Sequence, residues 1–213
     1  MRSYDEYCSV AKALDLVGDR WTLLIVRELS LRGPSRYTDL RNGLPGVATN
    51  LLADRLRELE SAGLVAREEA PPPVATTLFR LTDRGAGLKP VLDELMRWGL
   101  PLMVEQQETD AVRSHWLAGA IEVMLGDRHL DGEPATLELR LGDEPITVAA
   151  RDGEMKVTVG ATSDPDAALA GPARPIMGLL LGYLDRAGAE AMGVTFEGDE
   201  GVVERFAVDA VAA

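Results

Sequence analysis

The chain has 213 residues, 46% of them apolar, and a formal net charge of −13. That apolar content suits one or two buried cores, while the longest strongly apolar run, residues 176–184, is far short of the roughly 20 residues that span a bilayer, so no membrane partner is expected. A single cysteine, Cys8, excludes an intrachain disulfide, and the acidic opening residues lack the apolar stretch of a secretory signal, which together point to the cytoplasm.

An acidic chain as a whole is a poor partner for phosphate, but its charge is uneven. Residues 1–106 hold 14 Lys+Arg and 15 Asp+Glu, against 8 and 20 in residues 107–213. A nearly neutral first half can still present a local basic face, with the acidic half held clear of nucleic acid.

In chain order, residues 9–18 predict a helix with Val10, Ala13, Leu14 and Val17 at helical spacing, closed by Gly18. Residues 21–30 are apolar nearly all round, as in a central buried helix. Ser35 offers an N-cap for a short third helix stopped by Gly43. A tight turn at 44–46 leads into a fourth, in which Leu52, Leu56 and Leu59 share one face while Asn50, Asp54, Arg57 and Ser61 point the other way. Residues 64–68 and 78–81 read as the strands of a hairpin around a loop with three consecutive prolines, which cannot continue a helix or a sheet ladder. Thr82 then caps a helical segment reaching Trp98.

The polar stretch 105–110 marks a domain boundary, giving domains 1–106 and 107–213. Beyond it, residues 111–126 predict a helix through Trp116, Ala120 and Met124. Leu137, Leu139 and Leu141 alternate with Thr136, Glu138 and Arg140, the period-two pattern of a half-buried antiparallel strand, and two further alternating runs follow. Residues 164–171 and 174–188 read as helical, and 194–206 as a strand, a turn and a terminal helix. The fold class is α+β.

Helix, helix, tight turn, helix, strand, loop, strand is the layout of a winged helix-turn-helix, whose recognition helix needs one face anchored on leucines and another carrying short polar groups and cations toward base edges or phosphates. The candidate DNA contacts are Arg36, Tyr37 and Thr38 at the start of the third helix, Thr49, Asn50, Arg55 and Arg57 on the fourth, and Thr76 and Thr77 on the wing. Arg55 lies close to the leucine stripe, which leaves an intramolecular ion pair open beside a phosphate contact; Thr76 and Thr77 can equally be plain loop residues.

Several motifs occur here in order: Gly18-Asp19-Arg20-Trp21, the pair Arg36–Tyr37, Gly46, Arg55, the pair Leu81–Thr82, and Trp98. Over roughly residues 8–100 the chain resembles the HxlR family of winged-helix transcription regulators. The resemblance implies a cytoplasmic homodimer, paired through the first and last helices of this domain, that binds double-stranded DNA and mostly represses. Where many members carry Ser-Pro-Lys, this chain has Ala48, Thr49 and Asn50. Thr49 can supply the N-cap hydroxyl, and Asn50 can hold an adenine edge by two hydrogen bonds. Some relatives use a cysteine near position 8 as a sensor, but the neighbouring Asp5 and Glu6 are expected to raise the Cys8 thiol pKa and make it a packed or idle group.

Residues 112–211 resemble the sterol-carrier-protein-2-like fold through an Asp-x-x-Leu segment, an apolar Gly-containing helix and a Gly-Asp turn before the last helix. This implies a small sheet against helices enclosing an apolar cavity, and hence a hydrophobic small-molecule ligand. Ile176, Met177, Leu180 and Leu184 supply an apolar stripe, with Trp116, Met124, Met155 and Phe196 as further candidate contacts, though any domain of this size needs such residues for its core. No enzyme and no cofactor are expected. His115 and His129 are the only histidines, and neither a Gly-x-Ser-x-Gly elbow nor a phosphate-binding loop occurs. The expectation is a homodimeric repressor modulated by a hydrophobic effector. The alternative is a hydrophobic small-molecule carrier whose winged helix serves dimerisation.

Overall fold

A computed structural model describes residues 3–70, 76–105, 110–126 and 132–208. The proline loop at 71–75, most of the predicted boundary stretch (106–109) and His129 lie outside the described residues. The chain divides into two compact units, Met1–Glu94 and Leu95–Ala213.

The first unit opens with α1 (Ser9–Val17) and α2 (Thr22–Arg32), the latter ended by Gly33. Ile25, Val26 and Leu29 of α2 are buried, and so is Glu28. β1 (Ser35–Arg36) precedes α3 (Tyr37–Gly43). Ser35 was expected to cap α3, yet it pairs with Phe79 in a sheet and its hydroxyl donates to the Gly33 carbonyl at 2.9 Å, so the N-cap position falls to Arg36. α4 (Thr49–Ser61) buries Leu52, Leu56 and Leu59, each at most 2% exposed. β2 (Val65–Glu69) and β3 (Thr77–Leu81) form the hairpin, and the sheet order is β1-β3-β2.

The Thr82 side chain accepts the Gly85 amide at 3.1 Å, capping α5 (Asp83–Ala86) as the sequence implies. The chain then turns at Gly87 and starts again as α6 (Lys89–Gly99), where one continuous helix was predicted. Gly85 is required by packing: a Cβ there would sit 2.0 Å from the Leu64 carbonyl oxygen. The core of this unit gathers Val17, Ile25, Leu29, Leu40 and Leu44 around the three α4 leucines and Phe79.

In the second unit a 3-10 helix (Leu100–Glu105) and α7 (Ser114–Leu125) precede a meander of β4 (Ala135–Arg140), β5 (Ile146–Arg151) and β6 (Glu154–Val159). β7 (Ala167–Ala170), α8 (Ala173–Leu180), α9 (Arg186–Ala191), β8 (Thr195–Gly198) and α10 (Glu200–Phe206) complete it. The sheet order is β6-β5-β4-β7-β8, with β4 and β7 parallel and the other neighbours antiparallel.

Three sequence expectations fail here. Residues 164–171 do not form a helix: β7 lies between β4 and β8, and its Ala167, Ala168 and Leu169 are all buried. A strand covered on both faces loses the alternation that distinguishes it from a buried helical segment. The predicted helix 174–188 is divided at Gly182, whose φ of 72° breaks the helix, and Asp185 then caps α9 by accepting the Gly188 amide at 2.8 Å. Glu138 of β4, expected on the polar face, is only 4% exposed. It accepts from Arg140 Nε at 2.7 Å and from the Thr162 amide at 2.9 Å, and the Thr162 amide first, then Arg140, hold its carboxyl below the ordinary glutamate value.

Candidate nucleic-acid interface

The helix-turn-helix is built by three anchors. Leu40 on α3 and Leu44 in the turn are buried at 1% exposure, and the Val47 amide returns to the Leu44 carbonyl at 3.2 Å. Gly46, at φ 84°, takes the left-handed conformation that lets the chain reverse before α4. The α4 leucines are the third anchor. With that face held in the core, Thr49 and Asn50 are left exposed in the first turn of α4, followed by exposed Asp54, Arg57 and Ser61. Polar groups at the start of a core-anchored helix are what a major-groove reader has to present.

The N-cap of α4 is Ala48, whose side chain makes no capping hydrogen bond. Thr49 therefore does not provide the expected cap; it is the first residue within the helix. The neighbouring stabilisation comes from Tyr37, which is half-buried and donates its hydroxyl to the Thr49 carbonyl at 2.7 Å. Arg36 and Thr38 are exposed at the start of α3, where the Arg36 amide donates to Asp39 Oδ2 at 3.2 Å.

The two arginines of α4 differ. Arg55 is half-buried, and its guanidinium pairs with Asp19 Oδ2 at 3.3 Å and with Glu58 Oε2. Both charges that bind it come from within the first unit, so the ion-pair alternative describes it. Arg57 is exposed and lies 2.5 Å from Asp54 on its own helix, a surface pair that solvent and a phosphate can compete for.

On the wing, Thr76 and Thr77 are half-buried. The Thr76 carbonyl accepts the Ala70 amide at 2.8 Å and the Thr77 hydroxyl donates to Glu69 Oε1 at 3.0 Å. Arg67 pairs with Glu60 at 2.7 Å and Arg80 with Glu68 at 2.9 Å, so these strand cations are already matched by carboxylates. Arg41, exposed in the last turn of α3, has no ion pair among the described residues and was not singled out from sequence. Its only local signal was a cation two positions before a helix-ending glycine. Asp19, the partner of Arg55, lies 36 positions away, and no local pattern indicates that pairing.

Cys8 is exposed at the N-cap of α1. The backbone N–H groups of Ala11 and Val10 lower its thiol below the ordinary value, where the acidic neighbours Asp5 and Glu6 had been expected to raise it. Donors at the helix start stabilise the thiolate more directly than exposed carboxylates oppose it.

Among the second-unit candidates, Ile176, Met177 and Leu180 are buried in the core with Ile121, Leu125 and Phe206. Met124, Met155 and Phe196 are partly buried against that core. Leu184 packs on Gly178, where a Cβ would lie 3.0 Å from its Cδ1. Trp116 is half-buried beside His115 and Arg113.

Comparison with known proteins finds relatives over the first half of the chain. Residues 16–107 match the HxlR-like helix-turn-helix family. YvaP of Bacillus subtilis (strain 168), named an uncharacterized HTH-type transcriptional regulator, is 38% identical over 87 residues, which cover 41% of this chain and 80% of that protein. An uncharacterized HTH-type transcriptional regulator of Methanothermobacter thermautotrophicus is 36% identical over 96 residues, covering 45% of this chain and 72% of that one. The reduced form of the transcriptional regulator YodB from B. subtilis aligns with a TM-score of 0.39 at 30% identity, over 44% of this chain and 92% of that one. With the HTH-type sequence relatives and the family match on the same segment, the chain belongs, through residues 16–107, to the HxlR-like helix-turn-helix family of transcriptional regulators.

Proposed function

We propose that the protein is a homodimeric transcriptional repressor in the cytoplasm, that residues 1–106 bind operator DNA and dimerise, and that residues 107–213 hold a hydrophobic small molecule that modulates operator binding. The observation that carries the DNA reading is the first turn of α4, where Thr49 and Asn50 are exposed on a helix whose other face is locked into the core. Arg36, Thr38 and Arg57 flank it as exposed groups of the kind that reach phosphate oxygens, while Tyr37 and Arg55 act by holding α3 and α4 in place. Thr76 and Thr77, at the loop end of the β2–β3 hairpin, are the proposed wing contacts to the adjacent backbone.

Dimerisation is supported by apolar residues that the chain leaves uncovered. Val91, Leu95 and Trp98 are exposed along one stripe of α6, with Leu102 next in the same spacing, and Val10 and Leu14 are exposed on α1. Such stripes on a soluble regulator are the material of a subunit interface. Two recognition helices in successive major grooves would then lie about 34 Å apart on a pseudo-palindromic site.

A sterol-carrier-like arrangement of the second unit is supported by a sheet packed against α7 and α10 and by partly buried Met124, Met155 and Phe196 around its core. Trp116 and Leu184 complete the proposed ligand contacts, with Ile176, Met177 and Leu180 as the wall behind them. An effector changes operator affinity only as far as it favours one arrangement of the protein over another.

The test is a titration of purified protein against its own promoter region at two salt concentrations, with Asn50→Ala and Arg36→Ala beside the wild type. Tight, salt-sensitive binding is expected. Asn50→Ala should cost about 1–3 kcal/mol at one base position, and Arg36→Ala should weaken all sequences alike while reducing the salt slope by about 1. Binding no tighter than to random DNA, before and after removal of any co-purified ligand, would reject the regulator in favour of a carrier.

A further inference from the structure

Among the described residues of the first unit, one charged side chain is kept wholly out of solvent: Glu28, in the middle of α2, is 0% exposed. Its helix is the scaffold of the unit, with Ile25, Val26 and Leu29 buried around it. A carboxylate in such a place is costly unless it is paired, and apolar residues of similar volume commonly replace a buried ion pair without loss of stability. Packing alone therefore does not call for a glutamate here.

Its two oxygens have different neighbours. Oε1 accepts from Arg27 Nη2 at 2.8 Å and from Arg27 Nε at 3.2 Å, two bonds from one half-buried guanidinium. Oε2 is turned toward Gly43, the last residue of α3. A Cβ at Gly43 would overlap Oε2 and stand 2.9 Å from Cδ, so the carboxylate has room only because that residue is glycine. Gly43 lies between Leu40 and Leu44, both 1% exposed, and the turn that starts there leads through Gly46 into α4. The carboxylate is seated where α3 gives way to that turn.

We infer that Glu28 is a positioning residue for the recognition helix. Held by Arg27, it fixes the end of α3 and, through the turn, the angle at which α4 presents Thr49 and Asn50. The inference rests on the DNA reading of α4. Glu28 itself is buried and reaches no nucleic acid. A charge-assisted bond to an arginine accepts a narrow range of geometry, and buried polar groups of this kind can fix one arrangement among several that pack equally well. The role of Glu28 is thus to set direction more than stability.

The test uses the full chain carrying Glu28→Met, Glu28→Gln or Gly43→Ala. Each is read by thermal unfolding, by amide chemical shifts of the free protein and by titration against its own promoter region. Glu28→Met loses the charge at similar volume. It is expected to stay folded at 25 °C, with the wing amides of Arg67 and Arg80 at wild-type shifts and those of Thr49 and Asn50 displaced. Promoter affinity should fall about tenfold with an unchanged salt slope. Gly43→Ala should act in the same direction, by pushing the carboxylate away. Glu28→Gln keeps the shape and an acceptor for Arg27, so it should lose about threefold, and it carries the test if the other two loosen the fold. Unchanged Thr49 and Asn50 amides, unchanged affinity, shifts spread equally over the wing, or a loss that only follows the fraction unfolded would overturn the role. A wild type that binds its promoter no tighter than random DNA would reject the DNA reading instead, and the Thr49 and Asn50 amides would then decide the positioning role by themselves.

Discussion

Tyr37 donates its hydroxyl to the Thr49 carbonyl at 2.7 Å, joining the first residue of α3 to the first residue of α4. The bond spans the turn of the helix-turn-helix and sets the angle at which Thr49 and Asn50 are presented. Removing the hydroxyl loses one hydrogen bond, worth about 1 kcal/mol, without removing any charge. Tyr37→Phe is therefore expected to weaken operator binding by about fivefold while the dependence of log K on log salt keeps its slope, since that slope counts phosphate contacts. A slope reduced by about one would instead make Tyr37 a direct phosphate ligand.

The uncovered stripe on α6 predicts a concentration-dependent assembly. Trp98 is 72% exposed and shares the stripe with Val91 and Leu95. A charge placed there would be desolvated in a paired interface at a cost of several kcal/mol. The wild type is expected to sediment as a dimer, and Leu95→Glu combined with Trp98→Glu should give a folded monomer in sedimentation equilibrium at the same concentration. A dimer that survives both substitutions would move the interface elsewhere.

Acid stability of the second unit should follow Glu138 and Asp143. The Thr162 amide and Arg140 depress the folded pKa of Glu138, and the Ser114 amide depresses that of Asp143. A depressed folded pKa means that the unfolded chain takes up protons first as pH falls. The contribution is thus complete above the ordinary carboxylate range and is lost as pH falls through it toward the lower folded values. Glu138→Gln should lower stability by about 2 kcal/mol at neutral pH and flatten the acid limb of the stability curve. An acid limb identical to wild type would mean that Glu138 has the same proton affinity folded and unfolded.

Cys8 offers a direct chemical readout. Backbone N–H groups of Ala11 and Val10 lower its thiol pKa, so the pH midpoint of its alkylation by iodoacetamide should lie below that of a free cysteine. Lys12, Asp5 and Glu6 are all exposed nearby. A midpoint at or above the free value would show that the two carboxylates outweigh the helix start.

How much of this was legible in advance depends on the range of the interaction. Leu52, Leu56 and Leu59 identified α4 and its buried face because helical periodicity is local, and Thr82 identified its own cap for the same reason. Ser35 carried an equally good local signal and was overruled, since pairing with Phe79 across 44 positions satisfied its backbone in a strand. The run from Ala167 to Ala170 had no alternation to read, because it is covered on both faces between β4 and β8. Glu138 read as an outward residue until Arg140 and the amide of Thr162 were found around it.

The sequence by itself determined the order of the winged-helix elements, the anchored face of α4 and the family, all of which rest on spacing within a few turns or on motifs in fixed order. Only the tertiary structure decided which of the candidate DNA contacts remain exposed. Asp19 and Glu58 claim Arg55, the Thr49 carbonyl claims the Tyr37 hydroxyl, and Glu69 claims Thr77. A polar side chain binds the nearest complementary group in space, and distance in space is set by packing that no local pattern encodes.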